Sequence, residues 1–130
     1  MKGLTSSFPN GIDGFLVDDQ AVEKTSTYLV VTATDSGKTF YQTATCVFTL
    51  PAIDTGQIHT FVNLADDGVG ALRIAPNAAD GIHWAGDEVG NKYIENTLAT
   101  SKKGDQITIG YGAANVWVVL SIRGIWAKEA

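Results

Sequence analysis

A chain of 130 residues, 45% of them hydrophobic, has the size and composition of one folded domain and not of a disordered or fibrous chain. Its net charge of -5, with nine Lys and Arg scattered along it, speaks against a groove that neutralises a run of phosphates, so no nucleic-acid partner is expected. No apolar stretch approaches the ~20 residues that cross a bilayer, so no membrane is expected either, and a single cysteine excludes an intrachain disulfide.

Residues 1–25 lack strand alternation but carry Leu4, Phe8, Ile12, Phe15, Leu16 and Val17. Apolar residues dotted through an irregular segment are read as an extended N-terminal arm, packed along its own domain or on a neighbouring subunit. The stretch has no apolar core of a secretory signal, so synthesis in a cytoplasm is expected.

From residue 26 onward, β-branched residues dominate short segments punctuated by Gly, Asn and Asp, which favours strands over helices. Strands are expected at 26–34 and, after the turn Asp35–Lys38, at 39–50, where Ala44, Cys46, Phe48 and Leu50 share one parity. Pro51 should end that strand, because proline cannot continue a ladder. Further strands are expected at 58–64, 71–75, 82–85, 105–111 and 116–122, with 91–99 readable as a strand, a single helical turn or a loop. Gly112–Asn115 is short enough to make the last two strands a hairpin. Helices of ten or more residues are missing, which disfavours a βαβ plan. The expected fold is therefore all-β: an antiparallel β-sandwich, jelly roll or small barrel over 26–130, with the arm at 1–25. The apolar run Val116–Ile122 reads as a strand in the middle of a sheet, with Val116, Val118, Leu120 and Ile122 on one face and Trp117, Val119 and Ser121 on the other. The residues after it should turn over the end of the domain, with Trp126 as a lid or contact surface.

Candidate chemistry is sparse. Cys46 lies in an alternating apolar stretch, as a buried small hydrophobe would. His59 and His83 are the only histidines, lie in expected strands and lack zinc-ligand spacing; a surface or cross-strand role is expected for each. The sequence pairs Asp18–Asp19, Asp66–Asp67 and Asp87–Glu88 read as turn residues, since a glycosidase needs two carboxyls about 5 to 10 Å apart across a cleft. The spacing of an EF-hand is absent, as are a nucleophile elbow and a phosphate-binding loop. Lys102–Lys103 precedes Gly104 and reads as an exposed turn. No catalytic residue, metal or cofactor is expected. Trp84, Trp117, Trp126, Tyr28, Tyr41, Tyr93 and Tyr111 could build a sugar-stacking platform, but core and subunit packing is the preferred reading.

Three segments carry a resemblance. "GDQITIGYGAANVWVVLSIRGIWA", 104–127, resembles the C-terminal element of tailed-bacteriophage virion proteins, in which a Gly-Asp-led strand passes through a small turn to Trp-x-Val and a short Gly-x-Trp ending. "FTLPAIDTGQIHTFVNL", 48–64, and "LRIAPNAADGIHWAG", 72–86, are similar to upstream hairpin and strand segments of the same proteins. Ile125 and Trp84 depart from the usual pattern, where smaller residues are commoner. The resemblance implies a β-sandwich module, generally trimeric, found in head decoration proteins and in fibre or spike parts. Between these, the small size of the chain, one compact module, favours a capsid decoration or cement protein on the outside of the virion, whose expected partners are the major capsid protein and two copies of itself. In that setting Phe8, Ile12, Phe15 and Leu16 of the arm would contact the capsid, and Trp117 and Trp126 the trimer interface. The alternative is a tail-fibre or receptor-binding module that recognises carbohydrate.

Overall fold

The computed structural model describes residues 21–24, 28–30, 35–53, 56–84, 87–113 and 115–129, with the backbone alone for 21–24, 28–30 and 87–90. Its strands are β1 (Ala21–Lys24), β2 (Tyr28–Val30), β3 (Thr39–Gln42), β4 (Cys46–Thr49), β5 (Ile58–Asn63), β6 (Leu72–Ala75), β7 (Gly81–Trp84), β8 (Asp87–Gly90), β9 (Ile94–Asn96), β10 (Gln106–Ala113), β11 (Val116–Arg123) and β12 (Trp126–Lys128). A 3-10 turn spans Leu98–Thr100, and no α-helix occurs among the described residues. The all-β expectation therefore holds. The first strand, β1, lies within the segment expected to be an arm.

The strands form a seven-stranded sheet, ordered β1-β3-β5-β10-β11-β7-β8, and a five-stranded sheet, ordered β12-β9-β6-β4-β2. Pairing is mixed, which corrects the expectation of purely antiparallel sheets. β1, β3 and β5 run parallel in the larger sheet, and β2, β4 and β6 run parallel in the smaller one. The reason lies in the connections. From β1 to β7 each strand is followed by one in the opposite sheet, so the chain returns to its starting sheet in its original direction. A parallel neighbour needs a crossover, and here the crossover is a strand of the other sheet instead of a helix.

The stretch 39–50 shows how the sequence encodes this. Phe40, Gln42, Cys46, Phe48 and Leu50 are all buried, so the period of two continues across the bend at 43–45 while the chain changes sheet. Phe40 and Phe61 of the larger sheet meet Phe48 of the smaller one, with ring centroids 5.4 and 5.0 Å from it, and stack on each other at 5.5 Å. Such contacts add to burial, which contributes about 1.5–3 kcal/mol for a side chain of this size. Leu72, Ile74, Ile82, Ile94, Ile107, Ile109, Trp117 and Trp126 complete one core between the sheets, with Cys46 buried among them.

β10 and β11 form the expected hairpin, and β11 is an interior strand of its sheet. Its facing differs from simple alternation. Thr108 pairs Ser121 but Ile109 pairs Val119, so Leu120 is an extra residue bulged from β11. The bulge resets the parity. Trp117, Val119 and Ile122 turn to the core, while Leu120 is 56% exposed. A second shift makes Gly112 the extra residue of β10, where a Cβ would lie 2.2 Å from the Val118 side chain. Beyond β11, Gly124 and Ile125 lead into β12, which pairs with β9 and buries Trp126.

Candidate functional site

Of the residues expected to make contacts, Phe8, Ile12, Phe15 and Leu16 lie outside the described residues, as do Asp18 and Asp19. Trp117 is fully buried in the interior of the larger sheet, and Trp126 is buried on the smaller one with its Nε1 donating to the Arg123 carbonyl at 2.9 Å. Both indoles are thus packed inside this one chain. Any surface role in this region passes to the exposed Leu120 and Ile125.

The most highly built feature is a buried polar network at one end of the core. Asn63 and Asn96 sit on the inward parity of β5 and β9, at positions that an apolar residue would fill elsewhere in those strands. Asn63 Nδ2 donates to the Gly70 carbonyl at 2.9 Å and to Asn96 Oδ1 at 2.8 Å, while its Oδ1 accepts from the Ala65 N–H at 2.9 Å. Asn96 Nδ2 donates to Asp105 Oδ2 at 2.9 Å and to the Ile125 carbonyl at 3.1 Å. Asp105 Oδ2 also accepts from the Lys102 N–H at 2.9 Å. Gly124 closes the arrangement: its φ is +103°, and a Cβ there would fall 2.3 Å from the Asp105 carboxyl carbon.

Three loops, 64–71, 97–105 and 123–125, are tied together by these side chains. Outside the network, Lys102 and Lys103 pair with Asp67 at 3.5 Å and Asp66 at 2.9 Å, so the doubled lysines and doubled aspartates neutralise each other on the surface. The Lys103 N–H, bonded to Asp67, holds that carboxyl below its usual range, and Asp66 raises the Lys103 ammonium above its own. On the same loops stand three large apolar side chains in water: Val69 at 60% exposure, Leu98 at 46% and Ile125 at 61%. Fixed loops that expose apolar side chains suit a contact surface.

A second candidate lies on the outer face of the larger sheet. The registers align Thr39, Thr60, Thr108 and Ser121 across β3, β5, β10 and β11. Thr60 and Thr108 hydroxyls are 3.1 Å apart. The adjacent row is Tyr41, Val62, Gln106 and Arg123. In β3, β5 and β10 these positions alternate with core residues, so their outward parity was present in the sequence; Ser121 and Arg123 join the rows through the Leu120 bulge and the strand order.

His59 is cross-strand to Ile109, yet it is fully buried and not at the surface. His83 is half-buried and faces Val118 and Glu88 in register. Asp80 is buried and accepts from the Ile53 N–H at 3.0 Å, which gives it a structural role at a loop. Among the described residues no group of three His, Cys, Asp or Glu side chains is placed to hold a metal ion. Trp84 and Tyr93 stand near Lys128 and Arg73, with the Arg73 guanidinium 4.4 Å from the Tyr93 ring centre and also paired with Glu95. Trp117 and Trp126 are buried and so take no part in a stacking surface, while Tyr111 is 37% exposed. No family model matches the sequence, and no curated protein matches it.

Proposed function

We propose that the chain is a structural virion protein: a capsid decoration or cement protein that sits on the outside of a phage head and stabilises the major capsid lattice. The observation that supports this most is the end of the domain described above, where a buried Asn63–Asn96–Asp105 network fixes loops that expose Val69, Leu98 and Ile125. A cement protein needs a rigid contact surface, and polar side chains spent on internal hydrogen bonds are not poised for turnover; we assign it no catalytic role. The two facing sheets are read as a β-sandwich with jelly-roll-like layering, joined to an N-terminal arm in residues 1–25 whose last part, Ala21–Lys24, is β1. The arm would reach across neighbouring capsid subunits, and burying Phe8, Ile12, Phe15 and Leu16 would contribute about 1.5–3 kcal/mol each. The assembly is proposed to be a homotrimer, made in the host cytoplasm and carried on the capsid exterior. Light scattering of the purified chain at micromolar concentration is expected to give three times the 13.8 kDa monomer mass; monomer alone, with or without capsid, counts against the trimer.

One observation favours a second reading. The hydroxyl row of Thr39, Thr60, Thr108 and Ser121, flanked by Tyr41 and Gln106, offers hydrogen bonds and a ring edge to a polyhydroxylated ligand. That is the chemistry of a carbohydrate-recognition module on a fibre. Deleting residues 1–20 separates the two readings and leaves every described strand in place. The truncated protein is expected to keep its β spectrum and to lose binding to emptied heads. Normal decoration by the truncated protein removes the arm from the proposal. If both forms ignore heads and bind host glycans, the fibre reading replaces it.

A further inference from the structure

His59 lies at the opposite end of the core from the asparagine network, in a cluster whose hydrogen bonding is incomplete. Its Nε2 meets Gln57 Oε1 at 3.1 Å, and its ring packs 5.6 Å from the Trp117 ring and 6.5 Å from Phe61. His59 Nδ1, Gln57 Nε2 and Trp117 Nε1 are all buried without a hydrogen-bond partner. With Gln57 Oε1 facing the ring, Nε2 donates and the neutral imidazole carries its lone pair on Nδ1; the opposite amide orientation would exchange the two nitrogens. A proton added at Nδ1 would create a buried cation, eased only by the Asp35 backbone and carboxylate, against the larger cost of burial.

The groups around the ring offer little relief. β10 brings Ile109 in register and β11 brings Trp117, neither of which carries charge. Tyr111, two residues along β10, contributes its N–H to the Gln57 carbonyl at 3.0 Å. Relief comes from Asp35, on the turn before β3, through its charge and through a backbone hydrogen bond to the protonated ring, and the Asp35 carboxylate is itself paired with Lys38 at 3.1 Å.

We propose that His59 is an acid-operated latch on the seven-stranded sheet: closed while the imidazole is neutral, and opening the β5–β10 end to water when the ring takes up a second proton. What opens is defined by the hydrogen bonds nearby. The Ile58 N–H binds Ser36 Oγ at 3.0 Å, the Gly37 N–H binds the Ile58 carbonyl at 2.7 Å, and Tyr111 binds Gln57. In the proposed opening these three contacts part. The sign agrees with the chemistry. Burial pushes the imidazole below its ordinary value, with Asp35 opposing. The unfolded chain then binds the proton more readily than the folded one. The closed state has its full stability above pH of about 6.5 and loses it as the pH falls from there towards the folded-state value.

The test uses the whole chain between pH 7 and pH 5, above the range in which ordinary carboxylates titrate. Amide hydrogen exchange is read by NMR, corrected for intrinsic rates, alongside the His59 ring resonances. The expected result is a loss of protection at Ile58 and Tyr111 approaching tenfold per pH unit, the limit for uptake of one proton. The Asn63 amide, bonded to the Asp105 carbonyl at 2.8 Å at the far end, should keep its protection. In His59→Gln the loss at Ile58 and Tyr111 should vanish. An equal loss in His59→Gln, or a His59 ring that titrates while protection stays constant, overturns the latch. The wild-type titration decides alone if the variant does not fold.

Discussion

Trp117→Ala is expected to destabilise the domain by about 3–5 kcal/mol, read as a fall in the urea midpoint with little change in slope. Trp117 is fully buried on β11, between Tyr111 of β10 and Ile82 of β7, so truncation opens a cavity in the middle of the larger sheet. A loss of that size is a large fraction of the stability of a typical domain, about 5–15 kcal/mol. Two companion variants locate the effect. Leu120→Ala removes a large side chain three residues away on the same strand, but Leu120 is bulged and 56% exposed, so a cost below about 1 kcal/mol is expected. Trp117→Phe keeps most of the ring volume and removes an indole N–H that has no partner, so it should cost well under the alanine variant. Equal losses for Leu120→Ala and Trp117→Ala would mean that the strand does not face as described.

That contrast marks how far the sequence could be read. The shared parity of Ala44, Cys46, Phe48 and Leu50 was legible, as were the β10–β11 hairpin and the interior position of β11, because each depends on local spacing; Cys46, Phe48 and Leu50 are buried and Ala44 is half-buried. Parallel pairing was not legible, since turn residues show where a chain reverses and not which strand becomes its neighbour. The Leu120 bulge was hidden for a related reason: in an apolar run on both faces, one extra residue leaves no mark in the pattern. β8 and β12 are short and lie in segments whose polar residues resemble loops. Trp126 illustrates the consequence, because a strand that pairs with β9 turns an expected surface contact into a core residue. His59 shares parity with Phe61 and Asn63, so its burial was available from β5 alone, had the polar side chains not been taken for surface ones.

Asn96→Ala is expected to cost about 3 kcal/mol or more, although it removes a small polar side chain. Asn96 is fully buried and makes three side-chain hydrogen bonds, to Asn63, Asp105 and the Ile125 carbonyl. Truncation leaves two buried partners short of a bond, each at about 1–3 kcal/mol, and one of them is a carboxylate. Water cannot repair the loss cheaply while the loops stay closed. The damage should therefore be local as well as global: amide exchange at Lys102 and Ala65, whose N–H groups bind Asp105 and Asn63, should accelerate more than at Leu50, which bonds Ala75 in the smaller sheet. Asn63→Ala removes the other half of the same amide pair. Because the two side chains share one network, the double variant should be less damaging than the sum of the singles by about 1 kcal/mol or more. Additive losses, or a cost below 1 kcal/mol for Asn96→Ala, would show that the three loops are held by the sheets behind them. A coupled loss would show that the network holds them, and with them the exposed Val69, Leu98 and Ile125.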